Sequence, residues 1–238
     1  MQLFVNLLLA HIVSDFFLQS DKTCENKLKG FRSKHLYAHA LLVGVVSYAL
    51  SNAYATFLLY AVAIAATHFV IDYAKVWLTS RYAKEGLSLF LLDQALHVAV
   101  LLIASRLYLH FESWEQFDFL SGIWEHSPLY VCCLLLCAKP SNILIKAVLD
   151  KYKISLPKAA GKDLMKAGAL IGTLERVIAM GLVVLGQYEA VGFIIAAKSI
   201  IRFKDYETAK TEYVLVGTLL SFGLALLFGI AIRMMTND

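Results

Sequence analysis

Charge is scarce in this chain: Lys, Arg, Asp and Glu make up 17% of 238 residues, against a hydrophobic share of 59%. With a mean hydropathy of +0.66, that scarcity excludes a soluble globular domain and leaves a polytopic membrane protein. No soluble stretch or low-complexity tract separates the apolar segments. The cysteines, Cys24, Cys132, Cys133 and Cys137, contain no C-x-x-C spacing, which argues against a thiolate zinc site or a disulfide framework. Three of them share one apolar segment, where a thiol behaves as a small hydrophobe. No basic stretch precedes the first apolar run, so that segment is expected to remain as a membrane helix and act as its own insertion signal. The formal charge of +4 gathers in loops, which points to topology and anionic lipid and away from nucleic acid.

Eight apolar segments follow one another, at about 2–19, 35–50, 58–77, 87–109, 129–149, 167–185, 190–203 and 213–234. The fold class expected is all-α, a transmembrane helical bundle of about eight helices. Lys139-Pro140-Ser141-Asn142 interrupts the fifth segment, where proline removes a backbone donor; a kink satisfied locally is expected there. The loops after segments one, three, five and seven are basic, with Lys27, Lys84, Lys158 and Lys204, whereas the loop holding Glu112, Glu115, Asp118 and Glu125 has no Lys or Arg. This places both termini outside. Residues 1–110 and 127–238 read as two four-helix halves joined by an acidic outer loop at 111–126, with polar motifs that do not repeat between them. Gly168/Gly172, Gly192/Ala196 and Gly217/Ser221 form small-x-x-x-small faces for close helix packing.

Four pairs of ionisable residues stand out, each at i, i+4 spacing in a different apolar segment: His11/Asp15, His35/His39, His68/Asp72 and Asp93/His97. A helix brings such positions onto one face, about 6 Å apart. Burying one of these groups in hydrocarbon costs roughly 3 kcal/mol, so an intramembrane pair marks a functional site by default. With the topology above, all four pairs fall at one depth in the cytoplasmic half. Five imidazoles and three carboxylates suit one or two divalent transition metals, with zinc first and manganese or iron as alternatives. The competing reading is that each His donates to a neighbouring Asp and the pairs only hold helices together. Gln19 and Gln94 adjoin the set and are expected at most to support it. His110 and His126, at the ends of the acidic loop, read as solvated.

The motifs Leu-Ala-His11-x-x-x-Asp15-Phe-x-Leu-Gln19, His35-x-x-x-His39, His68-x-x-x-Asp72-x-x-Lys75 and Leu-Leu-Asp93-Gln94-x-x-His97 resemble a family of bacterial inner-membrane proteins, domain of unknown function 3307. The likeness covers segments one to four. Gly172-Thr-Leu-Glu175-Arg176, Ala197-Lys198-Ser-Ile-x-Arg202-Phe203 and Glu212-Tyr213 look like its longer members. A more distant resemblance is to membrane-bound metal-dependent hydrolases. Together these imply an intramembrane His/Asp site in a bacterial inner membrane and name no substrate.

In the second half, Glu175, Arg176, Lys198 and Arg202 have two readings. One is a Glu175–Lys198 ion pair with snorkelling arginines. The other is a cationic wall that binds the anionic group of a substrate, such as a lipid or polyprenyl phosphate. Three function classes then stand. A metal-dependent hydrolase would use Asp15, Asp72 or Asp93 as ligand or base. A divalent-cation transporter would need relays on both sides of the site, and Leu41 to Leu50, Phe57 to Ala66 and Val98 to Ile103 offer hardly a ligand. A non-catalytic scaffold or metal sensor would hold the ligands without an open position.

Overall fold

The computed structural model describes residues 1–19, 33–82, 86–114, 127–154, 162–202 and 208–236. Cys24, Lys27, Lys84, Glu115, Asp118, Trp124, Glu125, His126, Lys158 and Lys204 lie outside the described residues, as does the side chain of Arg202. The described chain is a helical bundle with no strand, as the continuous apolar runs require: in lipid only a helix or a closed barrel satisfies every backbone N–H and C=O. It divides into two compact units, 1–132 and 133–238.

In the first unit, α1 (Gln2–Ile12) continues into a π-helical turn at Val13–Phe17, followed by α2 (Lys34–Leu50). A 3-10 turn at Ala55–Phe57 leads into α3 (Leu58–Tyr82), and α4 (Leu87–Phe111) follows. The sharp turn expected at Ser51-Asn52 is present, with Asn52 and Ala53 at φ 69° and 51°. Side chains take over where the backbone ladder of α2 stops. Asn6 donates to the Leu50 carbonyl at 3.1 Å, Ser51 to Tyr48 at 2.7 Å and Trp114 to the Ser51 carbonyl at 3.0 Å.

Leu3, Leu7, Val43, Phe57, Ala61, Ile64, Leu101, Ala104 and Tyr108 interlock between these four helices. Opposite them, Leu41, Leu59, Val62, Leu92 and Ile103 are exposed, the outward apolar face that lipid would cover. Since lipid is as apolar as leucine, association here depends on close packing rather than water exclusion. Its tightest point is where α2 crosses α3: a Cβ on Gly44 would stand 2.9 Å from Ala65 Cβ and 3.3 Å from the Ala61 carbonyl oxygen.

The unit boundary falls within α5 (Ser127–Cys137), and α6 (Lys139–Lys151), α7 (Lys162–Val184), α8 (Tyr188–Arg202) and α9 (Thr208–Thr236) complete the second unit. The break expected at Pro140 separates α5 from α6, and Ser141 donates to the Leu136 carbonyl at 2.6 Å, closing it locally. Ala179, Val183, Val191, Phe222 and Ala225 join α7, α8 and α9. Here the close approach is at Gly229, whose added Cβ would lie 2.6 Å from Val183 Cγ1. Of the glycines in the small-residue faces, Gly172 alone lies against another helix, where an added Cβ would stand 3.9 Å from Ser221 Oγ, whereas a Cβ on Gly168, Gly192 or Gly217 would meet nothing within 4 Å. A small-residue pair cuts a groove into one helix; contact also requires a partner shaped to enter it.

Five helical stretches are long and apolar enough to cross a membrane: Ala55–Arg81, Leu87–Phe111, Ser127–Lys151, Ala167–Val184 and Glu212–Thr236. The other three expected segments form helices too, but among the described residues α1 with its π-turn, α2 and α8 are shorter, the last two covering 17 and 15 residues.

Candidate metal centre

Each of the four helices of the first unit brings polar residues to one place. His11 lies in the last turn of α1, and the π-turn carries Asp15. There the Leu18 N–H reaches back five residues to the Val13 carbonyl at 2.9 Å, widening the turn as such insertions do at functional sites. Asp15 is thereby aimed across the bundle: its Oδ1 is 3.8 Å from His11 Nδ1, the same-face partner, but 3.1 Å from His39 Nε2 on α2. The Gly44 crossing sets α2 against α3 and so His39 against His68, with their Nε2 atoms 3.1 Å apart.

Three overlapping groups of ligand atoms result: His11, His68 and His97; Asp15, His39 and His68; and Asp72, Asp93 and His97, each group lying within 4.8 Å. In the second group the separations are 3.1, 3.1 and 3.4 Å. A tetrahedral ion with bonds of about 2.0–2.1 Å has ligand-to-ligand edges of about 3.3 Å, so the triangle has the size that such an ion needs. Two imidazole nitrogens and a carboxylate oxygen facing one another also hold too few protons to satisfy every contact as a hydrogen bond.

Asp72 links this group to the third. Its Oδ2 lies 3.6 Å from His68 Nε2 and 3.9 Å from His39 Nε2, while its Oδ1 lies 3.8 Å from His97 Nε2. On the Asp93 side, two buried atoms, Asp93 Oδ1 and His97 Nε2, stand 3.5 Å apart and have no hydrogen-bond partner among the described residues. Asp93 Oδ2 is engaged, accepting from Lys75 Nζ at 2.9 Å and from Gln94 at 3.1 Å. Gln94 in turn contacts His11 Nε2 at 3.3 Å. Beside His11, His68 and His97, a gap of about 10 Å³ is lined by Val43, Ile64, Thr67, Val100 and Leu101. One water-sized species fits such a gap.

The structure therefore gathers His11, Asp15, His39, His68, Asp72, Asp93 and His97, all buried except the half-buried Asp15. His35 stands apart. It is exposed in the first turn of α2 and belongs to none of the three groups, although it shares a helix face with His39. His110 is exposed at the end of α4, as expected. Lys75 has a part beyond marking a cytoplasmic loop: three residues after Asp72, it lies one turn along the same face, and that spacing was the available signal.

In the second unit, Glu175 pairs with Lys198. Arg176, 1% exposed, donates inward to Cys137, Ser221, Asn142 and Thr173 rather than snorkelling.

Neither the curated proteins nor the solved structures contain a match to this chain. The resemblance to membrane-bound metal-dependent hydrolases thus finds no support in the comparisons. A family profile does match, over residues 3–121, a span that holds every residue of the three ligand groups. The chain belongs to the family described as Protein of unknown function (DUF3307).

Proposed function

We propose that this integral membrane protein binds two divalent transition metals, zinc first, and uses them to hydrolyse an anionic, lipid-like substrate. The observation that carries the reading is the split of Asp72, whose two oxygens face different sets of imidazoles. One ion would be held by Asp15, His39 and His68 and the other by Asp93 and His97, with Asp72 between them. The two sets share no other residue, so both can fill together, leaving His11 with Gln94. Bound metal would activate water and polarise the scissile group.

The chain's own residues supply the rest. Lys75 and Gln94 hold Asp93 Oδ2 so that Oδ1 points inward. Asp15 faces His39 and His68 through Oδ1, and its second oxygen would receive the proton of the attacking water. Three carboxylates against the Lys75 ammonium leave two negative charges, which two divalent ions would over-neutralise, favouring an anionic substrate. The mostly apolar lining of Val43, Ile64, Val100 and Leu101 beside the imidazoles, with hardly a ligand in the outer halves of these helices, favours a hydrolytic site over the relay path of a transporter. We place the protein in a bacterial cytoplasmic membrane with both termini outside and the site open to the inner leaflet.

Elemental analysis of the purified protein tests this. Two ions per chain are expected, with one lost in His39→Ala, the other in Asp93→Ala, and none in His35→Ala. The metal-loaded protein should also convert a component of bacterial lipid extract, including polyprenyl phosphates, in a chelator-sensitive way seen by mass spectrometry. A wild type that stays metal-free when offered zinc, manganese or iron and melts identically in chelator would leave only a hydrogen-bonded helix clamp. Movement of zinc into liposomes with every lipid unaltered would replace the hydrolase by the transporter.

A further inference from the structure

We infer that the second unit holds a binding site of its own for a phosphate-bearing amphiphile, built around Arg176. A guanidinium has five N–H donors and keeps its charge. Here Nε donates to the Cys137 carbonyl at 2.6 Å, Nη1 to Ser221 Oγ at 2.9 Å, and Nη2 to Asn142 Oδ1 at 2.6 Å and Thr173 Oγ1 at 3.1 Å. All four acceptors are neutral. The adjacent carboxylate, Glu175, is engaged by Lys198. The side chain is thus hydrogen-bonded on four of its donors, while no described carboxylate forms an ion pair with it. Burying such a charge among membrane helices is costly unless a counter-charge is supplied.

The space for that counter-charge lies beside it. A cavity of about 340 Å³ is lined by Lys139, Lys146, Arg176 and Lys198 with Glu175 as its carboxylate, so cations outnumber anions four to one. Much of the remaining wall is apolar, including Ile143, Ile171 and Val214. Gly172 keeps the approach to Arg176 clear, since a Cβ there would lie 3.2 Å from Nη1. A monoanionic carboxylate would leave most of the cationic excess uncompensated. A phosphate monoester brings nearly two negative charges and three acceptor oxygens, and an attached alkyl chain suits the apolar wall. The site would need neither metal nor the first unit's carboxylates. It shares with the proposed reaction only the class of molecule.

Titration calorimetry of the full chain in dodecyl maltoside, with dodecyl phosphate as probe, tests the inference. Saturable binding of one molecule per chain is expected, unchanged by chelator and by His39→Ala. The paired substitution Lys139→Gln and Lys146→Gln should weaken it about tenfold or more. Gly168→Leu should block it while leaving Arg176 in place, because Gly168 lines the cavity and an added Cβ there meets nothing within 4 Å. Equal affinity in these variants and wild type would overturn the site. So would inorganic phosphate binding as tightly as the amphiphile, since the apolar wall would then have no part. Loss of binding on chelation would overturn it differently, by assigning the anion to the metals. None of these outcomes depends on whether the protein hydrolyses anything.

Discussion

Lys75 donates to Asp93 from one turn beyond Asp72, and so acts on the carboxylates that face His97. Without metal, its ammonium offsets part of the cluster's negative charge; with metal, it repels the ion. Lys75→Met should therefore lower the melting temperature of metal-free protein, by about 2 kcal/mol in stability for a lost hydrogen bond to a charged group. It should also enlarge the rise in melting temperature that zinc produces. Thermal melts with and without zinc check both signs, and unchanged metal-free stability would mean that the ammonium does not hold Asp93. The clustering of these His and Asp side chains was legible because four apolar segments repeat one polar spacing, which hydrocarbon does not tolerate without a reason. His35 shows the limit of that signal: spacing gives a shared face, but not how far along the helix the partner helices reach. Lys75 was visible in the motif and read through topology, since a basic residue near a membrane boundary suits either part.

At the scale of elements, two local departures from regular packing position the site, and the sequence announced neither. The π-turn at Val13–Phe17 contains no glycine or proline, so its cause is tertiary: Asp15 reaches His39 and His68 through it. The close crossing at Gly44 depends on Ala61 and Ala65 of another helix, a pairing that a search for small residues along one segment does not find. Gly44→Val should force α2 and α3 apart, at about 1–3 kcal/mol for an overpacked contact. Because His39 is carried by α2 and His68 by α3, the variant should lose the ion assigned to Asp15, His39 and His68 and keep that at Asp93 and His97. Metal content and melting temperature measured together separate this from general unfolding, in which both ions would go. Gly223→Ala, at a helical glycine whose added Cβ meets nothing within 4 Å, is the control that should keep both ions and should not lower the melting temperature.

For the whole molecule, the eight segments were legible because long apolar runs can do little in lipid except form helices, and the break at Pro140 was legible from the lost donor. Helix length was less so, since it depends on where turns such as Ser51-Asn52 are closed by side chains from elsewhere. The short helices have a consequence for the bilayer itself. At 1.5 Å per residue, α2 with 17 residues spans only about 26 Å, and α1 with its π-turn is similar, against a hydrocarbon core of about 30 Å. Such mismatch is relieved by local thinning of the bilayer at a cost of a fraction of a kcal/mol per Å. Headgroups and water would then dip beside α1 and α2, the two helices that carry His11, Asp15 and His39. Membrane thickness becomes a control on how near a charged headgroup comes to the site: the protein should melt higher, and turn over faster, in vesicles of 14-carbon than of 22-carbon phosphatidylcholine, while indifference to chain length would mean that the short helices are shielded from lipid.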